Sequence, residues 1–206
     1  MHKRTKGYTL LLLLVLTGLA GRLSTTTITS KERRFLIEEL KESKTGLQKS
    51  VKGLTDEQLN FRAAPETWSI QECLQHIAVS ENELWNIAAA ALKKTAERDQ
   101  KSQIKMNDQQ VLSMLATRDK KLQAPESFKP AKASWKTADE TFDAFKDKRA
   151  NLIKYAKTST DDMRNYTIKM PIGTIDAYQL LLYISAHTKR HTLQIEEVKA
   201  NPAFPK

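Results

Sequence analysis

Leu180-Leu181-Leu182-Tyr183-Ile184-Ser185-Ala186-His187-Thr188-Lys189-Arg190-His191-Thr192-Leu193-Gln194-Ile195 is the stretch on which the fold turns. Leu180, Ile184, Ile195 and, just beyond, Val198 recur every three or four positions, and His187 and His191 fall on the same stripe. That period is helical. A helix is expected from near Thr174 to about Ala200, ended by Pro202. Histidines four apart on a helix share a face, with Cβ atoms about 5–6 Å from each other. Nitrogens at that separation can share one metal ion through bonds of about 2.0–2.1 Å. Two neighbouring imidazoles on an inward face need polar partners in any case. The residues alone leave open whether the pair binds metal or only packs.

Three further long helices surround this one. The first is expected from Ser30 to Lys52, with Leu36, Leu40, Leu47 and Val51 as its stripe and Gly53 as its stop. Leu54 to Thr67 is a connection with one helical turn at Asp56–Leu59. The second long helix opens on a capping box, Ser69-Ile70-Gln71-Glu72, and runs to about Lys94. Residues 95–136 are less regular, with a short helix near Asp108–Leu115 and an extended linker through Pro125 and Pro130 to Trp135. A connection that long is usually either disordered or functional, for example a lid. The third opens on Thr137-Ala138-Asp139-Glu140, a second capping box, and carries Phe142, Phe145, Leu152, Ile153 and Ala156. Thr158 to Gly173 connects onward, with a bent, strand-like piece around Tyr166–Met170. The fold class expected is all-α, a four-helix bundle with long connections.

Beyond His2 the chain has three histidines, and the third, His76, lies in the middle of the second helix, where it can supply a nitrogen from a neighbouring helix. Three histidines with an open fourth position make a catalytic rather than a structural zinc site. No clear general base accompanies them. Glu72 is committed to its capping box, and the default for Glu81 is a solvated position. Cys73, one turn before His76, reads as a small buried apolar residue ahead of a soft fourth ligand. Tyr183, one turn before His187, reads as core, and Trp68, Trp85 and Trp135 are open between packing and lining a pocket.

The 206 residues suit one domain. Apolar content of 40% and charged content of 28% are those of a globular chain. The net charge of +10 falls to +7 without Lys3, Arg4 and Lys6, and the remaining basic residues alternate with acidic ones. With no basic run, no zinc-finger spacing and no helix-turn-helix signature, a solvated surface explains the charge and nucleic-acid binding is not expected. Residues 1–24 have the character of a secretory signal: Lys3, Arg4 and Lys6, then an apolar run from Tyr8 to Ala20, with small residues Gly18, Ala20 and Gly21 for cleavage. The run is shorter than the roughly 20 residues of a membrane-spanning helix. An uncleaved anchor is the alternative, and would be the only membrane contact. Either way residues 25–206 form the domain, expected outside the cytoplasm, periplasmic or extracellular. Its lone cysteine, Cys73, cannot make an internal disulfide.

Leu54-Thr55-Asp56-Glu57-Gln58-Leu59, Pro65 through Ile77 and Leu180 through Ile195 together resemble the DinB/YfiT superfamily of small bacterial metal-binding bundles, as does Leu122-Gln123-Ala124-Pro125-Glu126. The resemblance spans nearly all of Ser30 to Pro205. In that family a histidine of the second helix and an H-x-x-x-H pair on the fourth bind a divalent metal, often zinc or nickel, which implies that role for His76, His187 and His191. The family name refers to DNA damage induction and does not imply DNA binding. Members include metal-dependent hydrolases, thiol-dependent S-transferases and isomerases, and homodimers are common. A metal-dependent hydrolase of unknown small-molecule substrate is the expectation. The alternatives are a non-catalytic metal-binding bundle and an S-transferase, the latter disfavoured by export because low-molecular-weight thiols are mainly cytoplasmic.

Overall fold

The computed structural model describes residues 28–94, 98–116, 118 and 123–206. The expected signal segment 1–24 lies outside the described residues, as do parts of the 95–136 connection. Four long helices form the body: α1 (Ser30–Val51), α3 (Ile70–Leu92), α5 (Ala138–Thr158) and α6 (Ala177–Lys199). Two short ones, α2 (Asp56–Asn60) and α4 (Asp108–Ala116), lie in the connections. Every long helix starts at a reciprocal capping box: Thr29 with Glu32, Ser69 with Glu72, Thr137 with Glu140, and Asp176 with Gln179. Each box satisfies two backbone donors that would otherwise be orphaned, and so fixes where the helix begins.

The chain is not purely helical. Strands β1 (Thr167–Met170) and β2 (Gly173–Asp176) form an antiparallel hairpin, pairing Thr167 with Asp176 and Ile168 with Ile175. The strand-like piece around Tyr166–Met170 is therefore a strand with a partner. The last helix begins at Ala177 rather than near Thr174, because Thr174–Asp176 belongs to β2. Gly173 turns the hairpin with φ +119°, a conformation that a Cβ strains.

α6 packs against α1 and α3, and α5 packs against the same two, so α1 faces α3 across one diagonal and α5 faces α6 across the other. Contacts between helix ends give the directions. Arg33 near the start of α1 donates to Ala156 and Ser159 at the end of α5, so those helices run antiparallel. Tyr178 near the start of α6 donates to Glu32, and Lys199 at its end donates to Ser50, so α1 and α6 run parallel. Short loops join only neighbouring helices. The two diagonal crossings are made by the segment containing α2 and by the segment containing the hairpin.

The core has two apolar clusters. One gathers Leu36, Leu40, Leu84, Leu152, Tyr178 and Ile184; the other gathers Leu47, Cys73, Ile77, Phe145, Ile195 and Val198. Between them lies a buried polar layer. Arg149 (α5) makes a two-pronged ion pair with Glu81 (α3) at 2.6 and 2.7 Å, and donates to the Leu40 carbonyl, Ser43 Oγ (α1) and Thr188 Oγ1 (α6). Glu81 is thus buried and paired, not solvated, because its partner stands on the helix alongside. A second junction forms at Arg164, which binds Glu32, Asp108 and Asp176 and lies 3.9 Å above the Tyr178 ring. It ties the starts of α1, α4 and α6 together. Among the described residues no helix is long and apolar enough to cross a membrane.

Candidate metal centre

His76 stands two turns into α3, so the Ser69 capping box sets its height; His187 and His191 project from α6 towards it. The Nε2 atom of His76 is 3.2 Å from that of His187 and 3.1 Å from that of His191. Among the described residues these three are the only group of three or more His, Cys, Asp or Glu whose ligand atoms all lie within 4.8 Å of one another. His76 and His191 are buried, while His187 is half-buried and forms the side nearest solvent.

The outer nitrogens fix the chemistry of the inner ones. His76 Nδ1 is 2.6 Å from the Phe128 carbonyl, which only accepts, so Nδ1 carries the proton and Nε2 carries a lone pair. His191 Nδ1 is 2.8 Å from Gln194 Oε1, with the same consequence. Two lone-pair nitrogens 3.1 Å apart repel unless a cation sits between them. Burial keeps protons from that place. It lowers His76 to about 4 and His191 to about 3, and holds His187 well below 6.5, where the other imidazoles add to the effect. Metal–nitrogen bonds of about 2.0–2.1 Å at tetrahedral or octahedral angles put nitrogens about 2.9–3.4 Å apart. The two spacings from His76, the tautomers of His76 and His191 and the nitrogen-only donor set fit a divalent metal ion.

Other residues singled out in the sequence fall in different places. Trp68 belongs to the centre: its ring lies 4.8 Å from that of His76 and 6.2 Å from that of His191. Tyr183 stacks on His187 at 6.1 Å. Trp85 packs edge-on against Tyr155 in the core, and Trp135 packs with the second apolar cluster. Cys73 is fully buried in that same cluster, and burial pushes its thiol up to about 12. It is not part of the convergent group. Glu72 caps α3 and pairs with Arg62 at 2.5 Å. No carboxylate among the described residues joins the three imidazoles. A polar groove of about 730 Å³, lined by Arg62, Glu72, Gln75 and Lys136 among others, lies beside α2 and includes none of the histidines.

Two orienting groups were not foreseen. The Phe128 carbonyl belongs to the linker that runs along α3, held there by Gln75 donating to Trp135 and Gln71 donating to Lys136. A backbone carbonyl leaves no mark in a sequence. Gln194 does leave one, since it stands three residues after His191 and so on the same helix face.

Comparison with known proteins agrees with this architecture. A family model of the DinB superfamily matches residues 39–195. The uncharacterized protein YuaE of Bacillus subtilis (strain 168) is 28% identical over 151 residues, covering 72% of this chain and 88% of YuaE. YfiT from Bacillus subtilis, whose solved structure is described as a probable metal-dependent hydrolase with an unusual four-helix bundle topology, superposes with a TM-score of 0.59. That match has 16% identity and covers 86% of this chain and 91% of YfiT. The match to the family model spans most of the four-helix body and includes all three histidines, and on it the chain belongs to the DinB superfamily.

Proposed function

We propose that His76, His187 and His191 hold one divalent ion, zinc or nickel, and that the protein is a metal-dependent hydrolase of a small molecule. The observation that carries this reading is the convergence of the Nε2 atoms of His187 and His191 on that of His76, at 3.2 and 3.1 Å, with no fourth protein ligand among the described residues. A structural zinc site closes with four protein ligands, whereas a catalytic one leaves a position open. The description of YfiT as a probable metal-dependent hydrolase supports the same class. An ion bound there supplies Lewis acidity, which polarises a carbonyl or phosphoryl oxygen and acidifies water.

The chain's own contribution is placement. Phe128 and Gln194 hold two imidazoles with their lone pairs inward. Trp68 covers His76 and His191, and Tyr183 flanks His187, so substrate approaches on the half-buried His187 side. Glu81 and Glu72 are held in ion pairs of their own and are not the general base. Residues 1–24 support a working place outside the cytoplasm, which favours hydrolysis over transfer of a cytoplasmic thiol. The test is turnover of a panel of esters, amides and phosphoesters by the zinc- and nickel-loaded protein, with and without a low-molecular-weight thiol. Thiol-independent turnover that a chelator abolishes and H187A lacks is expected. Turnover only with the thiol would make the protein a transferase and overturn the hydrolase reading.

A further inference from the structure

We infer that Arg118 is a positioning residue for the metal centre: acting through Gln194, it selects the tautomer of His191 that can bind a metal. The inference deepens the metal reading and rests on it only for its consequence. Arg118 lies in the connection after α4, with its side chain about one-fifth exposed. Its Nε is 2.8 Å from both carboxylate oxygens of Glu197, and its Nη1 is 3.1 Å from Gln194 Oε1. The same Gln194 oxygen is 2.8 Å from His191 Nδ1.

A glutamine amide can turn either its oxygen or its NH2 towards a neighbour. A guanidinium has five donors and no acceptor. With Arg118 against it, Gln194 therefore presents oxygen, and His191 Nδ1 must be the protonated nitrogen. That leaves the lone pair on Nε2, the atom 3.1 Å from His76 Nε2. If Arg118 is removed, the amide is free to rotate and donate to Nδ1. The proton then moves to Nε2, and His191 no longer faces the centre as a ligand. His76 has no such freedom, because a backbone carbonyl cannot turn over. Glu197 keeps Arg118 in register one turn beyond Gln194 and offsets its charge, which a nearby cation site would otherwise feel.

Nitrogen-15 NMR of the histidine rings in the metal-free protein reads the tautomer directly, and competition against a chromophoric chelator reads zinc affinity. Wild type is expected to show His191 protonated on Nδ1. R118M is expected to show Nε2 protonation in part or in full and to bind zinc about 10-fold more weakly; Q194L is expected to lose about 10- to 100-fold. Q194E, which can only accept, should keep the Nδ1 proton and bind at least as tightly as wild type. Unchanged tautomer and affinity in R118M would overturn the inference. So would a Q194E protein as weak as Q194L, or a loss of affinity that comes only with loss of the metal-free fold by circular dichroism. If wild type takes up no zinc, the metal reading fails, while the tautomers in wild type and R118M still decide the role of Arg118.

Discussion

Two imidazoles of the centre, His76 and His191, are held from outside and bare on the inside. His76 gives its proton to Phe128, His191 gives its to Gln194, and the facing nitrogens meet at 3.1 Å. Burial makes this arrangement sensitive to acid. An unfolded histidine takes a proton near pH 6.5, and folded His76 does so only at about 4. Between those values the unfolded chain binds a proton that the folded chain refuses. Stability of the metal-free protein is therefore complete above about pH 6.5 and is lost as pH falls towards 4. From pH 7 to pH 5 His76 alone accounts for a loss on the order of 2 kcal/mol. Urea unfolding at the two pH values should show that drop, reduced in H76Q; equal midpoints at pH 7 and 5 would contradict it. The histidine pair could be read from the sequence because two residues four apart on an apolar stripe are a local pattern. The Glu81–Arg149 pair could not, since the partners are 68 positions apart and meet only once α3 and α5 lie side by side.

Capping boxes announced the starts of α3 and α5, and these helices, like α1, begin within a residue of their expected positions. The start of α6 lies three residues beyond the expected Thr174, because Thr174–Asp176 is taken up by β2. Asp176 with Gln179 is also a capping box, and Thr174 is paired with Lys169 in the hairpin. Two glycines test the elements separately. Gly46 sits inside α1, and beyond its own helix backbone and chain neighbours no heavy atom of the described residues lies within 4 Å of an added Cβ, so G46A should stabilise the protein by about 0.5–1 kcal/mol through helix propensity. Gly173 has open space too, with only Met106 Cε at 3.8 Å, but its φ of +119° is costly for any side chain. G173A should cost about 1–3 kcal/mol. Thermal unfolding of both variants separates the two effects; a stabilised G173A would mean that the hairpin does not need this turn.

For the molecule as a whole, four amphipathic stripes in one chain were enough to foresee a bundle. Their order around the axis was not, because periodicity says which face is inward and nothing about which helix it meets. The diagonal steps are enabled by the long connections, and the hairpin is part of one of them. The buried polar layer joins all four helices at Arg149. E81Q leaves that guanidinium without its counter-charge and should cost about 3–5 kcal/mol, and E81L/R149L should recover much of it. A cost below 1 kcal/mol in urea unfolding of E81Q would show that the layer is not what fixes the packing. The proposed ion would join α3 to α6. The most direct measurement is elemental analysis of residues 24–206, purified and then incubated with zinc or nickel, beside H187A/H191A. About one divalent ion per chain, lost in the double variant, is the predicted result; no bound metal in the wild-type protein under either ion would contradict it.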